Sequence, residues 1–258
     1  MTGSNAFARI DSPLVELGGG GRALVVVPAW NEAEALPAVL VELRTKIPGV
    51  DVLVVDDGST DGTADLVRLA GTAAVVSLPF NIGVGGAMRA GFLYAERNGY
   101  RAVVQCDADG QHDPADIARL LVELDTGLDV VIGARFAGVG DYQVGGFRRV
   151  AMRFLASSMS RITGTRLTDV TSGFRASSAR AVAVFAREYP PEYLGDTIES
   201  LVVARRAGLS IGQLPVELRE RQGGTPSQSS FKSVIYLGRA VLVLGLAVLH
   251  RGAGKDDA

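Results

Sequence analysis

The sequence predicts an α/β fold in which a mostly parallel sheet carries helices on both faces. Three observations predict it. Short apolar runs rich in Val, Leu and Ile recur through the first half of the chain. Segments with helical periodicity separate them. A polar cluster closes most of the apolar runs, and ligands of such sheets bind in the loops beyond the strand C-terminal ends.

The elements follow in order. Arg22–Pro28 is a continuous apolar run, the pattern of a strand buried on both faces. Asn31 is expected to cap a helix running to about Lys46, with Glu34 completing a capping box and Pro48-Gly49 ending it. Val50–Val55 is a strand ending in Asp56-Asp57-Gly58, and Asp61–Ala70 a helix. Ala73–Leu78 is a strand, Gly83–Asn98 a helix and Arg101–Cys106 a strand. Pro114–Thr126 is a helix with proline in its favoured first turn, and Leu128–Ile132 a strand. Beyond this the pattern loosens. Phe136–Gly146 is glycine-rich, Arg148–Ile162 and Asp196–Gly208 have helical periodicity, Ile211–Arg219 fits a strand, and Gln222–Ser230 is a polar loop. Residues 1–21 are expected to form a flexible leader, 22–230 the folded domain, and 231–258 an apolar helix and tail.

Composition excludes several functions. The 258 residues carry a net charge of −2, against the basic excess of nucleic-acid binders, so no nucleic-acid partner is expected. One cysteine rules out an intrachain disulfide, and two histidines make a zinc site improbable in chemistry as well as number. A bound metal would be a hard cation held by carboxylates.

Asp107-Ala108-Asp109 closes an apolar strand. Residues i and i+2 of a strand point the same way, so two carboxylates can face one cation, and Gln111 can add a neutral oxygen. The plainer alternative is an Asx-rich turn. Asp56 and Asp57 end the second strand, where an acid can accept hydrogen bonds from a ribose or base. Trp30 can pack on a base or lie in the core. Asn81-Ile-Gly83-Val-Gly85-Gly86 departs from the dinucleotide fingerprint, with Met88 in the third glycine position. Its glycines, Gly85 among them, are expected to let backbone approach a ligand at a helix N-terminus.

The segments PAWNE, VDDGSTDGT, NIGVGGAMRAGF, DADGQHDP and TSGFRA occur in this order. Together they resemble family-2 glycosyltransferases of the GT-A (Rossmann-like) fold, in the polyprenyl- or dolichyl-phosphate mannose synthase-like branch, over about residues 22–230. The resemblance implies that Pro28, Trp30, Glu32, Asp56 and Asp57 hold the nucleoside. It implies that Asp107, Asp109 and Gln111 ligate Mg²⁺ or Mn²⁺. It places Arg135 and Arg221 on phosphates and implies an inverting reaction. The family's late motif often continues to a Ser-Lys pair; here Thr225-Pro226-Ser227-Gln228 stands instead, with Lys232 as a substitute.

The expected reaction moves a hexose from GDP-mannose or a UDP-hexose onto polyprenyl phosphate. An anionic acceptor needs no general base; it needs cations. Arg148, Arg149 and Arg153 are candidates to grip it, with a solvated helix face as the alternative, and Arg175 follows later. A hydroxyl acceptor would need a base, for which Asp196 and Glu199 are candidates. A sugar nucleotidyltransferase and a non-catalytic nucleotide-binding module are further alternatives. Ser233–Leu249 is apolar apart from Arg239; at ~1.5 Å per residue it would make a helix of roughly 25 Å, short for a bilayer span. Lys232, Tyr236, Arg239 and His250 fall on one stripe, suiting a helix at a membrane interface or one packed on a partner, with a buried helix of the domain as the alternative. The expected location is cytoplasmic, peripheral on the inner face of the cell membrane, with a small membrane protein as a further partner.

Overall fold

The computed structural model describes residues 21–135, 146–191 and 195–221. The leader, the glycine-rich loop after Arg135, the Thr225–Gln228 segment, Lys232 and the C-terminal helix of the sequence reading lie outside the described residues. The strands are β1 (Ala23–Ala29), β2 (Asp51–Asp56), β3 (Ala74–Ser77), β4 (Ala102–Gln105), β5 (Val130–Ala134), β6 (Arg175–Ser178) and β7 (Ile211–Pro215). The helices are α1 (Leu36–Lys46), α2 (Thr63–Ala70), α3 (Val84–Arg97), α4 (Ala115–Asp125), α5 (Gly146–Thr163), α6 (Ala179–Glu188) and α7 (Gly195–Arg206).

The strands form one seven-stranded sheet in the order β3-β2-β1-β4-β6-β5-β7. All pairings are parallel except those of β6, which runs antiparallel between β4 and β5. Strand alternation splits the core into two layers. Leu24, Val26, Leu53 and Val55 face α3, α5, α6 and α7. Val25, Val27, Val52 and Val54 face α1, α2 and α4. This accounts for the continuous apolar runs: both faces of each central strand are covered. The mostly parallel sheet with helices on both faces is the architecture the sequence predicts.

Four details differ from the sequence reading. First, α1 begins at Leu36, because Asn31 takes a left-handed φ of 55° and turns the chain rather than capping the helix. Second, β6 is too short and polar to show as a run in sequence. It is a strand because β4 and β5 hydrogen-bond it from both sides. Third, α6 follows at once, with Ser178 accepting the Ala181 N–H as its cap. Fourth, β7 stops at Pro215; residues 216–221 leave the sheet and run along the Asp107–Asp113 loop. A Leu218–His112 bridge and an Arg219 N–H bond to Gln111 O of 2.9 Å fix that path. Among the described residues no helix is long and apolar enough to cross a membrane.

Candidate active site

The C-terminal ends of β1, β2 and β4 meet at one rim. The loops after β1 and β2 are stitched together there. Asn31 N–H donates to Ser59 Oγ at 2.9 Å, and Asn31 Oδ1 accepts the Thr60 N–H at 2.9 Å. Glu32 N–H donates to Thr63 Oγ1, and Ala33 N–H to Asp61 Oδ2. The stitched loops leave Trp30 43 % exposed at the rim, so it is not a core residue. Pro28 lies one residue inside the strand end, paired with Val55.

Asp56 and Asp57 are both buried but face different partners. Asp56 Oδ1 accepts the Ser59 N–H at 3.1 Å. Asp57 accepts the Ile82 and Gly83 N–H groups, each at 2.8 Å. Asp57 therefore takes the two N–H donors that immediately precede α3. Burial pushes its carboxyl above the ordinary range against those two bonds. Gly85 also departs from expectation. A Cβ there would collide with the Pro190–Pro191 backbone, so the close approach it permits is to the protein's own chain.

The Asp107–Asp109 segment lies beyond the end of β4, in a turn closed by Gly110 at φ 77°. Strand alternation is thus not what gathers the two carboxylates; the turn does it. Asp109 Oδ1 accepts the Gln111 N–H at 3.0 Å. Gln105 Nε2 donates to Asp107 Oδ1 at 3.2 Å. His112 stacks on Phe174 at 4.6 Å between ring centroids, and its Nδ1 accepts the Asp107 N–H at 3.1 Å. Its neighbour Asp113 is held at about 2 by N–H and cation partners, Ala115, Lys46 and Arg219, that outweigh its burial. Burial and then the nearby Asp107 push the Asp109 carboxyl up. Two acids that repel each other in a half-buried turn suit a hard divalent cation. Among the described residues no group of three or more His, Cys, Asp or Glu gathers on one point. A cation held by this carboxylate pair would leave its remaining positions to phosphate oxygens and water, the usual habit of Mg²⁺.

Residues 216–221 deliver Arg221 to this turn. Arg221 Nη2 donates to Glu32 Oε1 at 2.7 Å, and Nη1 lies 3.6 Å from Asp109 Oδ2. The arginine thus ties the β1 loop to the acidic turn. Glu32 Oε2 is buried and has no hydrogen-bond partner among the described residues. Burial raises its carboxyl, partly offset by Arg221.

Arg135 sits elsewhere. Its guanidinium grips the fully buried Asp169 at 2.5 and 2.9 Å and donates to Thr171 Oγ1 at 2.7 Å. The fork that would hold a phosphate is taken by Asp169, a residue the sequence reading passed over. Arg175 is buried and committed to Ser172 O, Thr197 O, Val170 O and Ser200 Oγ, so it pins α7 to the sheet rather than facing an acceptor. At the start of α7, Asp196 is buried with Oδ2 unpartnered among the described residues. Burial, with smaller contributions from Asp107 and Glu199, pushes its carboxyl up to about 6 against the pull of Arg175. Arg148 and Arg149 lie in the first turn of α5, with their side chains outside the description; Arg153 is exposed on the same helix.

Residues 24–187 match the family model Glycosyl transferase family 2. The rim and sheet are those of a glycosyltransferase, and the chain belongs to glycosyl transferase family 2. It is 34 % identical over 220 residues to the polyprenol monophosphomannose synthase of Mycolicibacterium smegmatis, covering 81 % of each chain. It is 37 % identical over 216 residues to the undecaprenyl-phosphate mannosyltransferase of Micrococcus luteus, covering 81 % of this chain and 88 % of that one. Among solved structures it is similar to glucosyl-3-phosphoglycerate synthase from Mycobacterium tuberculosis in complex with Mn²⁺ and UDP-glucose. That likeness has a TM-score of 0.65 at 26 % identity over 88 % of this chain and 79 % of the other.

Proposed function

We propose that this enzyme transfers a hexose from a nucleotide-diphosphate sugar to a polyprenyl phosphate, with inversion, using Mg²⁺ or Mn²⁺. The observation that carries this is the similarity, along most of the chain, to two relatives named for mannosyl transfer to polyprenyl phosphates. Mannose is accordingly the first sugar to test. Trp30, Glu32 and Asp56 would hold the nucleoside, with Asp57 fixing the turn before α3. Asp107 and Asp109 would hold the cation, and Gln111 orders their turn through its backbone. A cation bound there would neutralise charge on the departing diphosphate. Arg221, with Nη1 3.6 Å from Asp109 Oδ2, would add a fork to it. The acceptor phosphate oxygen attacks the anomeric carbon as the bond to the diphosphate breaks. No proton has to be removed from such an acceptor. Arg148 and Arg149 are proposed to contact it.

A transfer assay tests this. The full chain, Mn²⁺, a short-chain polyprenyl phosphate and labelled GDP- and UDP-sugars are incubated, and label is counted in the organic phase. Label from one donor, lost in Asp109→Asn, is the expected result. No label from any donor, with nucleotide still bound, overturns the proposal.

One observation favours a second reading. Asp196 is a buried carboxyl held at about 6, a value suited to a general base. With a hydroxyl acceptor it would take the proton. Under that reading Asp196→Asn abolishes transfer; under the first it does not.

A further inference from the structure

We propose that the outer face of α5 seats the enzyme on an anionic phospholipid surface. The inward face of this helix is ordinary: Leu155 and Met159 are fully buried against the sheet layer that holds α7. The outward face is not. Val150 is 68 % exposed and Phe154 46 %. Arg153, Ser157 and Arg161 are exposed beside them. At 100° per residue these five positions fall within one stripe, and from Val150 to Arg161 it runs about 16 Å.

Charge decides what covers this stripe. The chain as a whole is slightly acidic, with 28 Asp and Glu against 26 Lys and Arg. Yet from Tyr142 to Thr168 there is no acid at all, while Arg148, Arg149, Arg153, Arg161 and Arg166 all lie there. Arg153 and Arg161 form no ion pair with a described residue. The most exposed large apolar side chain among the described residues lacks this setting. Leu69 on α2 is 85 % exposed, but its neighbour Arg68 is paired with Asp65 at 2.7 Å. Unmatched arginines flanking Phe and Val are the side-chain set of an interfacial helix: the apolar groups enter the acyl boundary and the guanidiniums stay at the phosphates. A protein partner would have to bring a surface both acidic and apolar; an anionic bilayer offers both everywhere.

Position agrees. Arg205 in the last turn of α7 donates to Ile162 O in the last turn of α5, at 3.3 Å. The two helices thus share their C-terminal ends. α5 packs against α7, whose first turn carries Asp196, a carboxyl that feels the charge of Asp107. A membrane laid along the α5 stripe would lie on the side of the sheet that α7 also covers. The value of this for catalysis rests on the proposed lipid-phosphate acceptor; the binding itself does not.

The experiment is vesicle flotation of the full chain with phosphatidylglycerol–phosphatidylcholine vesicles and with phosphatidylcholine alone. Three variants run beside it: Val150→Ser with Phe154→Ser, Arg161→Gln, and Leu69→Ser as a control. All change exposed side chains, and a thermal melt checks that each is folded. Expected is binding to the anionic vesicles that falls with salt. Arg161→Gln lowers it about fivefold, near the usual contribution of one basic residue at an anionic surface. The double variant lowers it about tenfold or more, and Leu69→Ser leaves it unchanged. Undiminished binding by both α5 variants, or an equal loss in the Leu69 control, overturns the proposal.

Transfer to a soluble short-chain polyprenyl phosphate, without vesicles, is measured in parallel and should be unchanged in the α5 variants. If the wild type transfers to no acceptor, the function proposal fails while flotation still decides the surface.

Discussion

Two buried acids at opposite ends of the same sheet, Asp129 and Asp196, are treated in opposite ways. At the end away from the rim, Asp129 is saturated. It accepts from Ser178 Oγ at 2.9 Å, Arg180 at 3.0 Å, Ser210 N–H at 2.9 Å and Ser210 Oγ at 3.1 Å. At the rim, Glu32 Oε2, Asp196 Oδ2 and Thr197 Oγ1 are buried without partners among the described residues. Asp109 is pushed up by burial and by Asp107. Asp129 holds the fold together. Asp196 keeps one carboxylate oxygen without a partner among the described residues. Buried groups left unmatched cost stability, and enzymes carry that cost where substrate will supply the missing partner.

Breaking each end should therefore give opposite results. The largest effect is expected for Asp109→Asn. Transfer should fall about 10³-fold if the pair holds the cation that carries transition-state charge, while the melting temperature stays level or rises as the repulsion with Asp107 disappears. A melt and a transfer assay on the same preparation check both halves.

Next is Asp129→Ala, which strands the Ser210 N–H and frees Arg180. Denaturant unfolding should show a loss of about 3 kcal/mol, with transfer per folded molecule retained.

Asp196→Asn should behave in the reverse sense. A carboxyl whose folded pKa of about 6 lies above its unfolded value of about 3.9 favours the fold while protonated. That contribution is complete below about pH 4 and is lost as pH rises through about 6. The neutral variant should match the wild type near pH 4 and be more stable by about 2–3 kcal/mol at pH 8. Unfolding curves at the two pH values decide it, and equal stability at pH 8 would contradict the contrast.

The smallest effect is expected at Trp30. Its loss to Ala should raise the KM for nucleotide sugar about fivefold with kcat unchanged, the scale of one aromatic contact of about 1 kcal/mol.

Much of the fold was legible. The strands β1, β2, β4 and β5 show as apolar runs because both of their faces are buried, so nothing interrupts the pattern. β6 was not legible, since its strand character comes from neighbours distant in sequence. The acidic clusters were legible as well, because Asp56 and Asp57 stand at the end of β2 and Asp107 and Asp109 in the turn after β4. What misled was the cause assigned to them. Asn31 was read as a cap but staples two loops, and Gly85 was read as facing ligand but faces Pro190 and Pro191. Arg135 was read as a phosphate contact without its partner Asp169, which lies 34 residues away and shows no signal of its own.

The sequence by itself determined the alternation of strand and helix, the family, and which strand ends carry carboxylates. These depend on residues close together in the chain, where periodicity and turn chemistry act. Only the tertiary structure decided which charges are already taken. Arg221 reaches Glu32 across 189 residues, Arg135 is locked on Asp169, and Arg175 is spent on carbonyls, while the arginines of the α5 stripe meet no described acid. Pairing of that kind is set by distance in space and by exclusion of water, and neither is written in local sequence.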